Sequence, residues 1–174
     1  MEVKQAEKIH KSAKGNASQF FVAGELCRRG YYAVVTLGNT PNTDILCSNL
    51  EGTRFVHIQV KTFTPGAPRC IVGKKAEMLF GDNFFWVLAG VPDPPSLAFE
   101  YCIIPSKTMA EIVKRRADEW LKEKGKQGQD RKDSGVRIVQ FSPDEHDHVW
   151  NINERKYKGK FHNRWDNIAS TLNT

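Results

Sequence analysis

The chain has no apolar run long enough to cross a membrane. Its longest, Phe84 to Val91, falls far short of the ~20 residues that a spanning helix needs. The stretch Met1 to Lys14 holds four lysines but no apolar core, so it does not read as a signal peptide. There is no CxxC pair. The four cysteines, Cys27, Cys47, Cys70 and Cys102, lie far apart, which argues against both a zinc cluster and a small disulfide framework. They are expected to be reduced thiols of a cytoplasmic protein. No repeat, low-complexity tract or interior Pro/Gly-rich boundary occurs. The 174 residues therefore read as one domain, 1–174, led by a polar arm over 1–12.

Hydrophobic residues make up 40% of the chain and charged residues 26%, a balance that excludes disordered, collagen-like and mucin-like classes. Lys and Arg exceed Asp and Glu by 26 to 20, giving a net charge of +6. A basic excess suits a nucleic-acid partner, although an ordinary basic protein has the same balance.

Apolar spacing predicts a helix over 14–29, with Ala17, Phe20 or Phe21, Ala23 or Gly24, and Cys27 inward and Gly30 as its stop. Strands are expected over 31–36, 43–48 and 54–63, the last with Val56, Ile58 and Val60 on its buried side. The run 84–91 reads as a strand buried on both faces, followed by another over 98–104. Ser106 reads as the cap of a helix to about Glu123 with a stripe of Met109, Ile112, Val113, Ala117, Trp120 and Leu121. A mobile loop is expected over 122–135, then a short strand over 136–141. A last helix carries Trp165, Ile168, Ala169 and Leu172 inward. Trp86, Trp120 and Trp165 read as core. The order of elements implies an α/β fold, with a central mixed β-sheet flanked by helices.

One place concentrates chemistry. Asp44 opens a strand after the turn Thr40-Pro41-Asn42, and Gln59-Val60-Lys61 follows on the next strand. Alternation puts His57, Gln59 and Lys61 on one face. If the two strands pair, Asp44 lies beside them. Metal-assisted phosphodiester hydrolysis uses such a set. Mg²⁺ takes hard oxygen ligands, here the Asp44 carboxylate, the Gln59 amide oxygen and the Val60 carbonyl. Lys61 would orient water or stabilise charge on the phosphate. Spacing alone also fits a plain strand end, with Asp44 as a turn residue and Gln59 and Lys61 in solvent.

Gly15, Gln19, Gly30-Tyr31, Thr43-Asp44 and Ile58-Gln59-Val60-Lys61-Thr62, in that order, resemble the PD-(D/E)XK nuclease superfamily. The likeness is nearest to archaeal Holliday junction resolvases and small homing or restriction-type endonucleases. It covers 14–63 well and the rest more loosely. It implies a restriction-endonuclease-like fold, Mg²⁺- or Mn²⁺-dependent DNA cleavage, and catalytic roles for Gln19, Asp44, Gln59 and Lys61. The chain departs from the pattern by carrying Gln59 and Gln19 where acids are expected. Asp44 is then the one certain carboxylate, and a degenerate module that binds DNA or a protein without cutting is the alternative. Glu25 is a weaker candidate ligand, since six residues of helix turn it away from Gln19. It also reads as a surface partner of Arg28 and Arg29.

His57 is a candidate for proton transfer. Lys74, Lys75, Lys156, Lys158 and Lys160 are candidate phosphate contacts. Asp144 to His148 lacks zinc spacing and reads as an acidic turn. Enzymes that cut both strands are often homodimers.

Overall fold

In the computed structural model, which describes residues 10–38, 40–141 and 160–174, the sheet is organised around its longest strand. That strand, β3 (Phe55–Phe63), alternates as its sequence predicts. Val56, Ile58 and Val60 are buried, while His57, Gln59 and Lys61 are half-buried. The five-stranded sheet has the order β1 (Tyr32–Val35), β2 (Ile45–Ser48), β3, β5 (Phe84–Gly90), β6 (Glu100–Pro105). The first three strands form an antiparallel meander, β3 runs parallel to β5, and β6 returns antiparallel. The sheet is thus mixed, as expected. A separate ribbon pairs β4 (Arg69–Ile71) with β7 (Ile138–Gln140). Strand β4 is too short and too polar to be legible in the sequence.

Strand β5 is buried at every position because both of its faces are covered. Phe85, Val87 and Ala89 belong to the core under α1 (Lys11–Cys27) and α3 (Asp166–Leu172). Phe84, Trp86 and Leu88 belong to the core under α2 (Ser106–Lys122) and the β4–β7 ribbon. This second cover stops short. On the same face Tyr32, Val34 and Phe55 are exposed, and His57, Gln59 and Lys61 are half open. The uncovered half of one sheet face is where the candidate chemistry sits.

Three expectations need correction. First, α1 presents a different face to the sheet, turned by roughly 150° at 100° per residue. Ser18, Val22, Ala23 and Leu26 face inward, whereas Phe20 and Phe21 are 65% and 52% exposed and Cys27 is also exposed. Small Ser18 lets the helix approach β3, where its Oγ meets Thr62 Oγ1 at 2.7 Å. Phe21 stacks instead on Phe99. Second, Ser106 does not cap α2. It is the first helical residue, buried, and its Oγ accepts the backbone N–H of Phe80 at 3.0 Å. Third, Trp120 is not core. It is 47% exposed, and the Arg131 guanidinium stacks 4.7 Å from its ring centre. The segment 122–135 carries contacts of its own. Arg131 binds Glu123 and the Trp120 carbonyl, Lys124 binds Asp130, and Gly125 N–H reaches the Gln129 carbonyl.

The four cysteines are unpaired. No helix among the described residues is long and apolar enough to cross a membrane.

Candidate active site

Asp44 stands where β2 stops short of β3. The pairing register begins at Ile45 opposite Ile58, and Asp44 N–H still reaches the Ile58 carbonyl at 2.9 Å. Beyond that point β3 has no β2 partner, and the Asp44 carboxylate fills the gap. Its Oδ2 accepts the Val60 backbone N–H at 2.7 Å and the Gln59 side-chain amide N–H. The N–H and C=O of one strand residue leave on the same side, so the Val60 carbonyl shares this edge. The turn before Asp44 is held by Asn42 in the left-handed region (φ 59°) and by the Thr36 hydroxyl, which donates to the Thr43 carbonyl at 2.6 Å.

Burial pushes the Asp44 carboxyl above its ordinary value of 3.8. The Val60 N–H, the Lys61 charge and the Gln59 amide oppose that rise without cancelling it. Lys61 lies on the same face as Gln59, with its Nζ 6.0 Å from the Trp86 ring centre. Gln59 and Trp86 are register partners, so the indole lies beside Gln59 on the same face of the sheet.

The oxygen set suits a hard cation. Asp44 gives one carboxylate and Val60 a carbonyl. Turning the Gln59 amide end for end would present its oxygen in place of its N–H₂. Mg²⁺ is commonly held by one or two carboxylates and keeps several waters, so these residues fit such an ion, weakly held. Among the described residues no group of three or more His, Cys, Asp or Glu side chains gathers as a metal cluster.

The remaining candidates are distributed unevenly. His57 lies on the same face, with its Nδ1 3.2 Å from the Thr43 hydroxyl. Gln19 is half-buried on α1, and its side chain makes no hydrogen bond among the described residues; its neighbour Ser18 makes the contact with β3. Glu25 is engaged by Arg28 and Arg29, and those partners outweigh burial to hold its carboxyl below the usual range. Lys75 reaches the Asn42 side-chain oxygen at 3.2 Å, while Lys74 is paired with Asp133 at 2.9 Å. Lys160 is at the other side of the sheet, since the segment after it pairs with the free edge of β6 through Phe161 and Asn163. Lys156, Lys158 and the stretch Asp144 to His148 lie outside the described residues.

Sequence reading missed two contacts near Asp44: the Thr43–His57 pair and the reach of Lys75 to Asn42. It also missed Arg137, which is 5% exposed. Alternation through Arg137, Val139 and Phe141 was the available signal, because it places an arginine on the buried side of a strand.

The chain matches no protein-family model and no curated protein. Among solved structures it is similar to a bacterial homing endonuclease, I-Ssp6803I, with a TM-score of 0.53 at 13% identity over 95% of this chain and 96% of that chain. At that identity the likeness is one of fold: the mixed sheet with flanking helices is an arrangement that this nuclease shares.

Proposed function

We propose that the chain is a metal-dependent DNA endonuclease of the PD-(D/E)XK superfamily, in a variant with Gln59 in the acidic position. The observation that carries this reading is the meeting of Asp44, Gln59, the Val60 backbone and Lys61 in the gap beside β2, on the uncovered half of the sheet. The fold shared with a homing endonuclease and the net charge of +6 support DNA as substrate.

In this reading Asp44, the Gln59 oxygen and the Val60 carbonyl hold Mg²⁺ or Mn²⁺. Bound there, the ion would polarise the phosphodiester and lower the pKa of a bound water. The Val60 N–H and the Lys61 charge favour the ionised form of Asp44. Lys61, backed by the Trp86 ring, places a positive charge where the phosphate gains negative charge. His57, oriented by Thr43, is positioned for proton transfer to the leaving oxygen.

A second reading is a module that binds DNA without cutting it. It is favoured by the single carboxylate in the cluster and by the Gln59 amide, which donates to Asp44 rather than facing outward with its oxygen. Incubation with supercoiled plasmid and with a branched DNA, in Mg²⁺ or Mn²⁺, separates the two readings. Metal-dependent nicking lost in Lys61→Ala supports the nuclease. DNA binding without nicking supports the module.

A further inference from the structure

A short 3₁₀ turn, Lys74–Glu77, follows β4 and is gripped from one side. In a 3₁₀ helix residues i and i+3 eclipse, so Lys74 and Glu77 share a face. Both are held by one node. Lys74 pairs with Asp133 at 2.9 Å, and Glu77 pairs with Arg137. Arg137 and Asp133 are themselves joined by two parallel hydrogen bonds of 2.8 and 3.1 Å. Asp133 also accepts the Gly135 N–H at 2.8 Å. The Arg137 carbonyl accepts the backbone N–H groups of Val72 and Gly73 at the entry to the turn. There Gly73 takes φ 80°, a conformation that suits glycine.

Lys75 is one residue, about 120°, from that gripped face. It points the other way and reaches Asn42, two residues before Asp44, at 3.2 Å. Lys74 is neutralised by Asp133. Lys75 has only a neutral amide oxygen as hydrogen-bond partner among the described residues. The turn therefore carries two adjacent lysines in opposite electrostatic situations, and the uncompensated one is directed toward the candidate site.

We propose that this turn is a phosphate-contact arm of the Asp44 site, with Lys75 as the contacting cation and Arg137, through Glu77 and Asp133, as the residue that positions it. The ligand class is the phosphodiester backbone of nucleic acid. The proposal rests on the nucleic-acid reading above and adds to it which lysine makes contact and what aims it.

The test is fluorescence anisotropy with a labelled duplex of ~20 bp in metal-free buffer, over ~50 to ~200 mM salt. Lys75→Ala is expected to flatten the plot of log K against log salt by about 0.9, one lost phosphate contact, equivalent to about 3.5-fold over that salt range. Lys75→Arg is expected to retain the slope. Arg164→Ala, which removes the same charge beside α3 on the other face of the sheet, is expected to leave the slope near wild type. Glu77→Gln is expected to weaken binding while Lys75 is present and to add nothing in the Lys75→Ala background. A merely structural Glu77 would weaken both backgrounds equally, and that result overturns the positioning role. Equal slopes for Lys75→Ala and wild type overturn the arm while leaving DNA binding intact. No binding by the wild type overturns both the arm and the nucleic-acid reading.

Discussion

Replacing Gln59 with glutamate tests the site from the opposite direction, by adding the acid that the chain lacks. Gln59 donates its amide N–H to Asp44, so Gln59→Glu would put two carboxylates in contact. At about 4 Å and the effective dielectric near a protein surface, two like charges repel by about 4 kcal/mol. Proton uptake relieves part of this cost, at about 1.4 kcal/mol for each unit of pKa. A net destabilisation of about 2–4 kcal/mol is expected near pH 7 without metal, or roughly 5–15 °C in Tm for a chain of this length. The introduced carboxyl would have a native pKa raised above its unfolded value. Native protein then binds the proton more tightly, so the loss is absent in acid and appears as pH rises through the raised pKa. A divalent cation should reverse it. At a concentration about tenfold above its Kd, bound Mg²⁺ returns about 1.4 kcal/mol, and wild type should gain less. The assay is thermal melting of both proteins near pH 5 and near pH 7.5, with and without Mg²⁺. A variant as stable as wild type near pH 7.5 without metal would refute the contact between positions 44 and 59. A destabilised variant that Mg²⁺ fails to rescue would refute the oxygen set as a cation site.

Three further outcomes are expected. Asp44→Ala and Lys61→Ala should each lower cleavage by at least about 10²-fold, as loss of a group acting on developing charge does; Lys61→Ala should leave Tm near wild type. A single-turnover assay beside a thermal melt checks both. Because burial raises the Asp44 pKa, its two pH signatures run in opposite directions. The stability that the protonated group contributes is complete below 3.8 and is lost as pH rises through the raised value. Metal-dependent cleavage should rise over that same window, and parallel rather than opposed profiles in unfolding and rate measurements would contradict the assignment. Gly90→Ala should destabilise by about 1–3 kcal/mol. An added Cβ at Gly90 would lie 2.7 Å from the Phe63 ring and 3.3 Å from Glu100 Cβ, and denaturant unfolding would show the loss.

The sheet was legible because its signals are local. Alternation in β3 and the unbroken apolar run of β5 each follow from what covers their faces, and the turn before Asp44 is written in Pro and Asn. The pairing of Asp44 with Gln59 followed from the same alternation once the two strands were set side by side. The face of α1 was misread because Phe20 and Phe21 outweigh Ser18 in any count of hydrophobicity, whereas close approach to a sheet rewards small side chains. Ser106 and Trp120 were misread for a related reason. A serine before a helix and an indole on a helical stripe look the same in sequence whether they meet backbone, guanidinium or core. The clamp around Arg137 joins residues about 60 positions apart, a separation that no local pattern reports.

One consequence concerns mutational visibility. Val60 contributes to the site through its backbone N–H, and its carbonyl shares that edge, while its side chain faces the other way into the core beneath α1 and α3. A scan that replaces side chains one at a time would record Val60 as a packing residue and miss this part. What encodes the contribution is the offset between two strands, so a one-residue insertion or deletion between Asn42 and Ile45 would move Asp44 away from Val60 with every candidate side chain still present. For this site, chain length over a few residues is as heritable a determinant as residue identity, and substitution tolerance alone would give an incomplete map of it.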